Sequence, residues 1–195
     1  MRKIPRDFEN PIDDIIIEIC DKICPPLRKM GLTPNIITTF GLISRLISIY
    51  YLLQNRKWLF LFYGTLGYFF DCLDGHMARK YDMCTTFGDY YDHISDTVYV
   101  LALMYILFNY SKLSRQGLFV VVLVIAITYF GMLFHMGCQE NIHLCEGDAC
   151  SGFLSSFKDL CPNGKNINVS KYFGCGTSTL IIYALFFFIP FNKVI

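Results

Sequence analysis

Ile12, Ile15, Ile16, Ile19 and Ile23 follow the i, i+3, i+4 spacing of one helical face, while Asp13, Asp14, Glu18, Asp21 and Lys22 take the opposite one. Asn10-Pro11 is a cap-and-first-turn signal, and Cys24-Pro25-Pro26 reads as a stop. The pattern predicts an N-terminal amphipathic helix, lying in a membrane interface or packed on a soluble core. Five long apolar stretches follow, at 31–54, 58–80, 87–110, 116–138 and 172–192. A bilayer span needs about 20 apolar residues, so these stretches favour the interfacial reading and predict an all-α, polytopic membrane helix bundle. The expected organisation is a tail and interfacial helix over 1–30 and a transmembrane domain over 31–195.

The last two stretches are clean, since Gln116 to Gln139 and Tyr172 to Asn192 hold no Asp, Glu, Lys or Arg. The second and third are not. Their uncharged runs, Trp58 to Phe70 and Thr97 to Ser111, reach spanning length only by taking in Asp71, Asp74 and Arg79 at one end, or Asp89, Asp92 and Asp96 at the other. A carboxylate at the bilayer centre costs about 3 kcal/mol on insertion scales, so such residues mark ion or substrate sites; the bland alternative is that both helices end there with solvated caps.

Composition agrees with a membrane protein. Of 195 residues, 54% are hydrophobic and 17% charged, against about 25% charged in soluble domains. A net charge of +1 offers no basic face for nucleic acid, and the basic N-terminus leads into no cleaved targeting segment. With five spans, the N-terminal side carries eleven Lys and Arg and the other side five, with Arg45 inside the first span. That excess places the N-terminus, the acidic cluster and the 139–171 loop in the cytoplasm. A reducing compartment then predicts free thiols at Cys138, Cys145, Cys150 and Cys161; with His143 they lack the paired spacing of a zinc knuckle. Asn168-Val169-Ser170 and Asn109-Tyr110-Ser111 have the form of glycosylation acceptors, and this orientation predicts that neither is modified.

The chemistry concentrates in two segments, Asp71-Cys72-Leu73-Asp74-Gly75-His76-Met77-Ala78-Arg79 and Gly88-Asp89-Tyr90-Tyr91-Asp92-His93-Ile94-Ser95-Asp96. At about 100° per residue, Asp71, Asp74, Gly75 and Ala78 share one helical face, and Gly88, Asp92 and Asp96 share another. Carboxylates converging from both faces would repel unless a divalent cation neutralised them, and an all-oxygen set suits Mg²⁺, Mn²⁺ or Ca²⁺. Arg79 offers a planar fork for phosphate. Gly75, Ala78 and Gly88 leave room for a ligand, or for close helix packing. Periodicity alone also admits Asp82 and Asp89.

Together these residues spell D-x2-D-G-x2-A-R-x8-G-x3-D-x3-D. The pattern resembles the CDP-alcohol phosphotransferase (CDP-alcohol phosphatidyltransferase) family, integral membrane enzymes that join a phospholipid head group to its lipid and release CMP. Leu32-Thr33-Pro34-Asn35-Ile36-Ile37-Thr38 and the preceding amphipathic helix extend the resemblance over residues 10–138. It implies that Asp71, Asp74, Asp92 and Asp96 hold two Mg²⁺ or Mn²⁺ ions, that Asp96 is the general base, and that Gly75, Ala78, Arg79 and Gly88 shape the cytidine and phosphate pocket. It further implies a homodimer and, in a eukaryote, the endoplasmic reticulum. The family has six spans where five are counted here, giving an expectation of five to six transmembrane helices.

Other residues carry weaker signals. Arg45 sits mid-span, to meet an anionic phosphate or acceptor, or to snorkel or pair with a carboxylate. His135 lines the site or is hydrogen-bonded in the bundle; His93 points away from Asp92. The expected donor and acceptor are either CDP-diacylglycerol with a polar alcohol, as in phosphatidylinositol synthases, or CDP-choline or CDP-ethanolamine with a lipid alcohol. The rivals are a catalytically inactive membrane homologue and a divalent-cation transporter.

Overall fold

A computed structural model describes residues 2–142, 154–164 and 166–193. Among the described residues every long element is a helix: α1 (Pro11–Lys29), α2 (Pro34–Leu53), α3 (Lys57–Lys80), α4 (Thr86–Tyr110), α5 (Arg115–Asn141), α6 (Ile167–Ser170) and α7 (Cys175–Phe188). Short 3-10 turns cover Arg6–Phe8, Leu154–Leu160, Pro162–Gly164 and Lys171–Phe173. The helices α2 to α5 coincide with the first four apolar stretches to within three residues. Pro34–Leu53, Arg115–Asn141 and Ile167–Phe188 are long and apolar enough to cross a membrane by length and composition. The other two long helices, α3 and α4, reach 24 and 25 residues and carry the motif carboxylates inside them. No sixth long helix occurs in the described part of 141–170, only turns and the four-residue α6.

The first helix departs from expectation in two ways. It runs through Pro25 and Pro26 to Lys29 instead of stopping. Proline at 25 has no N–H for the carbonyl of Asp21, and that carbonyl is satisfied from outside, by the Lys80 ammonium at 3.0 Å. The helix ends instead at Gly31, whose φ of 81° is left-handed. Gly31 N–H donates to Arg28 O and Leu32 N–H to Leu27 O, the paired bonds of a Schellman cap. Second, Asp13 is not on a solvated face. It is buried, accepting from the Tyr68 hydroxyl and from Gly176 N–H at the start of α7. Ile15 and Ile19 of the same helix are exposed.

Small residues set how closely α2 and α3 approach. The two helices lie along each other, with Gly41 facing Gly67 and Ser48 facing Gly64. Ser48 donates to Phe60 O at 3.0 Å, and Tyr183 of α7 donates to Gly64 O at 2.9 Å. Here α4 packs chiefly on α2, so α3 and α4 stand apart and a cavity opens between them. At the far end Leu52, Phe60, Tyr99, Leu103, Leu107, Tyr183 and Phe186 form the main core. At the near end the chain before α1 is locked in place. Ile4 is fully buried with Cys138, Cys161 and Ile167, and Lys3 pairs with the buried Glu140 of α5.

One expectation about thiols is overturned. Cys138 and Cys161 are joined in a disulfide with their Cα atoms 4.9 Å apart, and Cys84 is also disulfide-bonded. The turns Leu154–Leu160 and Pro162–Gly164 fold back along the end of α5, a tertiary event that the cysteine spacing does not announce. Cys145, Cys150 and His143 lie outside the described residues.

Candidate functional site

The cavity between α3 and α4 measures about 460 Å³. Asp71 and Asp74 come from the last turns of α3, and Asp92 and Asp96 from the first turns of α4. Every motif residue singled out above, Asp71, Asp74, Gly75, Ala78, Arg79, Gly88, Asp92 and Asp96, lines it. Three of the four aspartates converge, with one carboxylate oxygen each from Asp71, Asp92 and Asp96 all within 4.8 Å of one another. Asp74 stands apart from that cluster. It is 3% exposed and accepts from the Thr38 hydroxyl of α2 at 2.5 Å.

Arg45 resolves to the pairing reading. Its Nη2 lies 3.0 Å from Asp71 Oδ1, and its Nη1 contacts Asp96 Oδ1, so one guanidinium bridges carboxylates from two helices. Asp92 Oδ1 is buried with no hydrogen-bond partner among the described residues. An orphaned carboxylate oxygen beside two others is a donor set that a divalent cation would complete, and all-oxygen ligation suits Mg²⁺ or Mn²⁺.

The glycines have definite tenants. A methyl added at Gly75 would lie 3.2 Å from the guanidinium of Arg79, which folds back over it. One added at Gly88 would lie 2.9 Å from Asn35 Oδ1 and 3.0 Å from Thr85 Oγ1. Thr85 caps α4 by accepting from Gly88 N–H, so Gly88 lets the capped start of α4 seat against the start of α2. Arg79 Nε is buried without a hydrogen-bond partner and its guanidinium borders the cavity.

Among the remaining candidates, His93 donates from Nδ1 to Asp89 O at 2.7 Å, and both residues border the cavity. Asp82 is exposed, in a left-handed turn with φ 52°. His135 is buried, bonded to Ser170 at 3.1 Å and to Gln139 at 3.0 Å, and does not line the cavity.

Sequence reading did not find the near wall. Lys3, Glu9 and Asp13, from the tail and the first turn of α1, line the cavity with Gln139. Glu9 is 6% exposed, and burial, reinforced by the nearby Asp13 carboxylate, pushes its pKa up to about 7. The deep wall is different, built from Tyr99, Leu103, Tyr129, Met132, Ile182 and Tyr183. The cavity is thus polar and charged at one end, carboxylate-rich in the middle and largely apolar at the other.

A family model described as CDP-alcohol phosphatidyltransferase matches residues 31–142. That match takes in α2, α3, α4 and α5, and with them all four motif aspartates. No curated protein and no solved structure matches the chain.

Proposed function

Because the chain belongs to the CDP-alcohol phosphatidyltransferase family, we propose that it moves a phosphatidyl or phosphoalcohol group from a CDP-linked donor to a hydroxyl acceptor. CMP is the leaving group and a phospholipid the product. The observation that carries this is the convergence of Asp71, Asp92 and Asp96 within 4.8 Å, midway between a charged and an apolar wall.

The roles follow from position. Asp71, Asp92 and Asp96, with Asp74 alongside, would hold two Mg²⁺ or Mn²⁺ ions, which would supply positive charge against the donor pyrophosphate and departing CMP. Arg79 reaches phosphate through its unpaired edge, and Gly75, Ala78 and Gly88 shape the nucleotide pocket around it. The acceptor hydroxyl gives its proton to Asp96 as its oxygen attacks the phosphorus distal to cytidine. The bond from that phosphorus to the CMP oxygen breaks, and the electron pair leaves with CMP. The apolar wall of Tyr99, Leu103, Met132 and Ile182 takes the lipid portion, whichever substrate carries it. The donor is CDP-diacylglycerol, or CDP-choline or CDP-ethanolamine. We place five spans in the membrane, the site toward the cytoplasm on the side rich in Lys and Arg, and the working unit as a homodimer.

The test is CMP release from membranes containing the protein, with Mg²⁺ or Mn²⁺, across pairs of donor and acceptor. CDP-diacylglycerol is offered with inositol, serine or glycerol phosphate, and CDP-choline or CDP-ethanolamine with diacylglycerol. Release that depends on one pair and vanishes in Asp96→Asn, with the variant still folded, is expected. Donor binding without release from any pair would make the chain an inactive homologue. Divalent-cation flux with no release would make it a transporter.

A further inference from the structure

Arg45 lies in the middle of α2, 6% exposed. A guanidinium at that depth is costly, and its stem reaches the site only by crossing Gly67, where a methyl would stand 2.7 Å from Arg45 Cγ. Its two terminal nitrogens are spent on Asp71 and Asp96, two of the three carboxylates that come within 4.8 Å of one another. The guanidinium carbon lies 5.8 Å from the centre of the Tyr99 ring, which backs it on the apolar side. The third carboxylate, Asp92, has an oxygen left without a hydrogen-bond partner among the described residues. The ion pair therefore engages two of the three carboxylates that a divalent cation would need.

We infer that Arg45 is the resident counter-cation of the carboxylate cluster and exchanges with divalent metal, surrendering Asp71 and Asp96 when metal arrives. This rests on the metal-dependent reading of the site given above. Without metal, the guanidinium keeps carboxylates on α3 and α4 from repelling each other, holding the cavity in shape. With metal, the same charge becomes a competitor. Arg45 is in this sense a positioning residue, acting through the carboxylates, and its removal separates two effects that an ordinary structural residue would not separate: the metal-free protein loses stability while its affinity for metal rises.

The experiment is Mn²⁺ binding to the purified full chain without donor or acceptor, followed by the electron paramagnetic resonance signal of free Mn²⁺. Thermal unfolding is recorded alongside, with and without Mn²⁺. Arg45→Gln is expected to bind Mn²⁺ at least about tenfold tighter than the parent, since it removes one unit charge at ion-pair distance. Arg45→Lys, which keeps the charge but cannot bridge two carboxylates, is expected to fall between them. Mn²⁺ should raise the unfolding temperature more in Arg45→Gln than in the parent. If Arg45→Gln does not fold, the Arg45→Lys shift decides alone. Equal or weaker Mn²⁺ binding by the variants, with the parent binding normally, would overturn the exchange. Absence of Mn²⁺ binding in the parent would instead remove the metal reading, and the exchange with it.

Discussion

Thr38 on α2 donates its hydroxyl to Asp74 on α3 at 2.5 Å, and both side chains are buried. The bond ties a motif carboxylate to a neighbouring helix while the other three motif aspartates gather without it. A buried acceptor deprived of its donor costs about 1–3 kcal/mol, and Asp74 would then be free to turn toward the other carboxylates. Thr38→Val, equal in shape and lacking the hydroxyl, should lower thermal stability. It should also raise the Mg²⁺ or Mn²⁺ concentration needed for half-maximal CMP release, because a carboxylate that the site holds in place becomes loose. Unchanged metal dependence would mean that Asp74 is positioned by the backbone of α3 alone.

Gly67 tests the seat of Arg45. A methyl there would lie 2.7 Å from Arg45 Cγ and 3.3 Å from Gly41 O, so neither the side chain nor the facing backbone has room. Gly67→Ala should destabilise the protein by about 1–3 kcal/mol, the usual cost of overpacking, read as a lower unfolding temperature in detergent. Gly31→Ala is a useful contrast: its added methyl meets nothing within 4 Å, and its cost is confined to the positive φ of 81°.

The boundaries of α2 to α5 are legible because hydrophobic length and local punctuation are properties of a segment, and the motif is legible because its spacing is fixed by helix geometry. What the sequence did not disclose depends on partners distant in the chain. Pro25 and Pro26 look like a stop until Lys80, more than fifty residues away, satisfies the carbonyl of Asp21. Asp13 looks solvated until the start of α7 donates to it. Arg45 left phosphate and carboxylate equally open, and only the placing of Asp71 from α3 and Asp96 from α4 on either side of it decided for those carboxylates. The tail residues Lys3 and Glu9 border the cavity because Ile4 is buried beside Cys138 and Cys161, a contact that no local pattern encodes.

The Cys138–Cys161 disulfide closes a separation of 23 residues, for which chain entropy gives about 3 kcal/mol of stabilisation. Disulfides are rare in the cytosol, whereas the orientation we propose from the Lys and Arg excess puts this end of the bundle there. The two signals are compatible because Cys138 is 0% and Cys161 2% exposed, which shields the bond from soluble reductants. Both cysteines should therefore resist alkylation in the native protein even after mild reduction, and react only after unfolding with reductant present. Asn168, exposed on the same side, should carry no glycan; a glycan there would reverse the orientation.

Glu9 gives the protein a pH dependence with a definite sign. Burial is the main cause and the Asp13 carboxylate the next, together raising its pKa from 4.5 to about 7 against the opposing pull of Arg2, Arg79 and Lys3. The folded state thus holds the proton more tightly than the unfolded chain does. Between pH 4.5 and about 7, unfolding releases that proton, so the contribution of Glu9 to stability is fully present below the window, declines through it and stays low above it. Glu9→Gln, which is neutral throughout, should remove this decline: its unfolding temperature at pH 8 should exceed that of the parent, with the two converging at pH 4.5. A variant that tracks the parent at both pH values would mean that Glu9 titrates normally and that its carboxylate is compensated by Lys3 and Arg79.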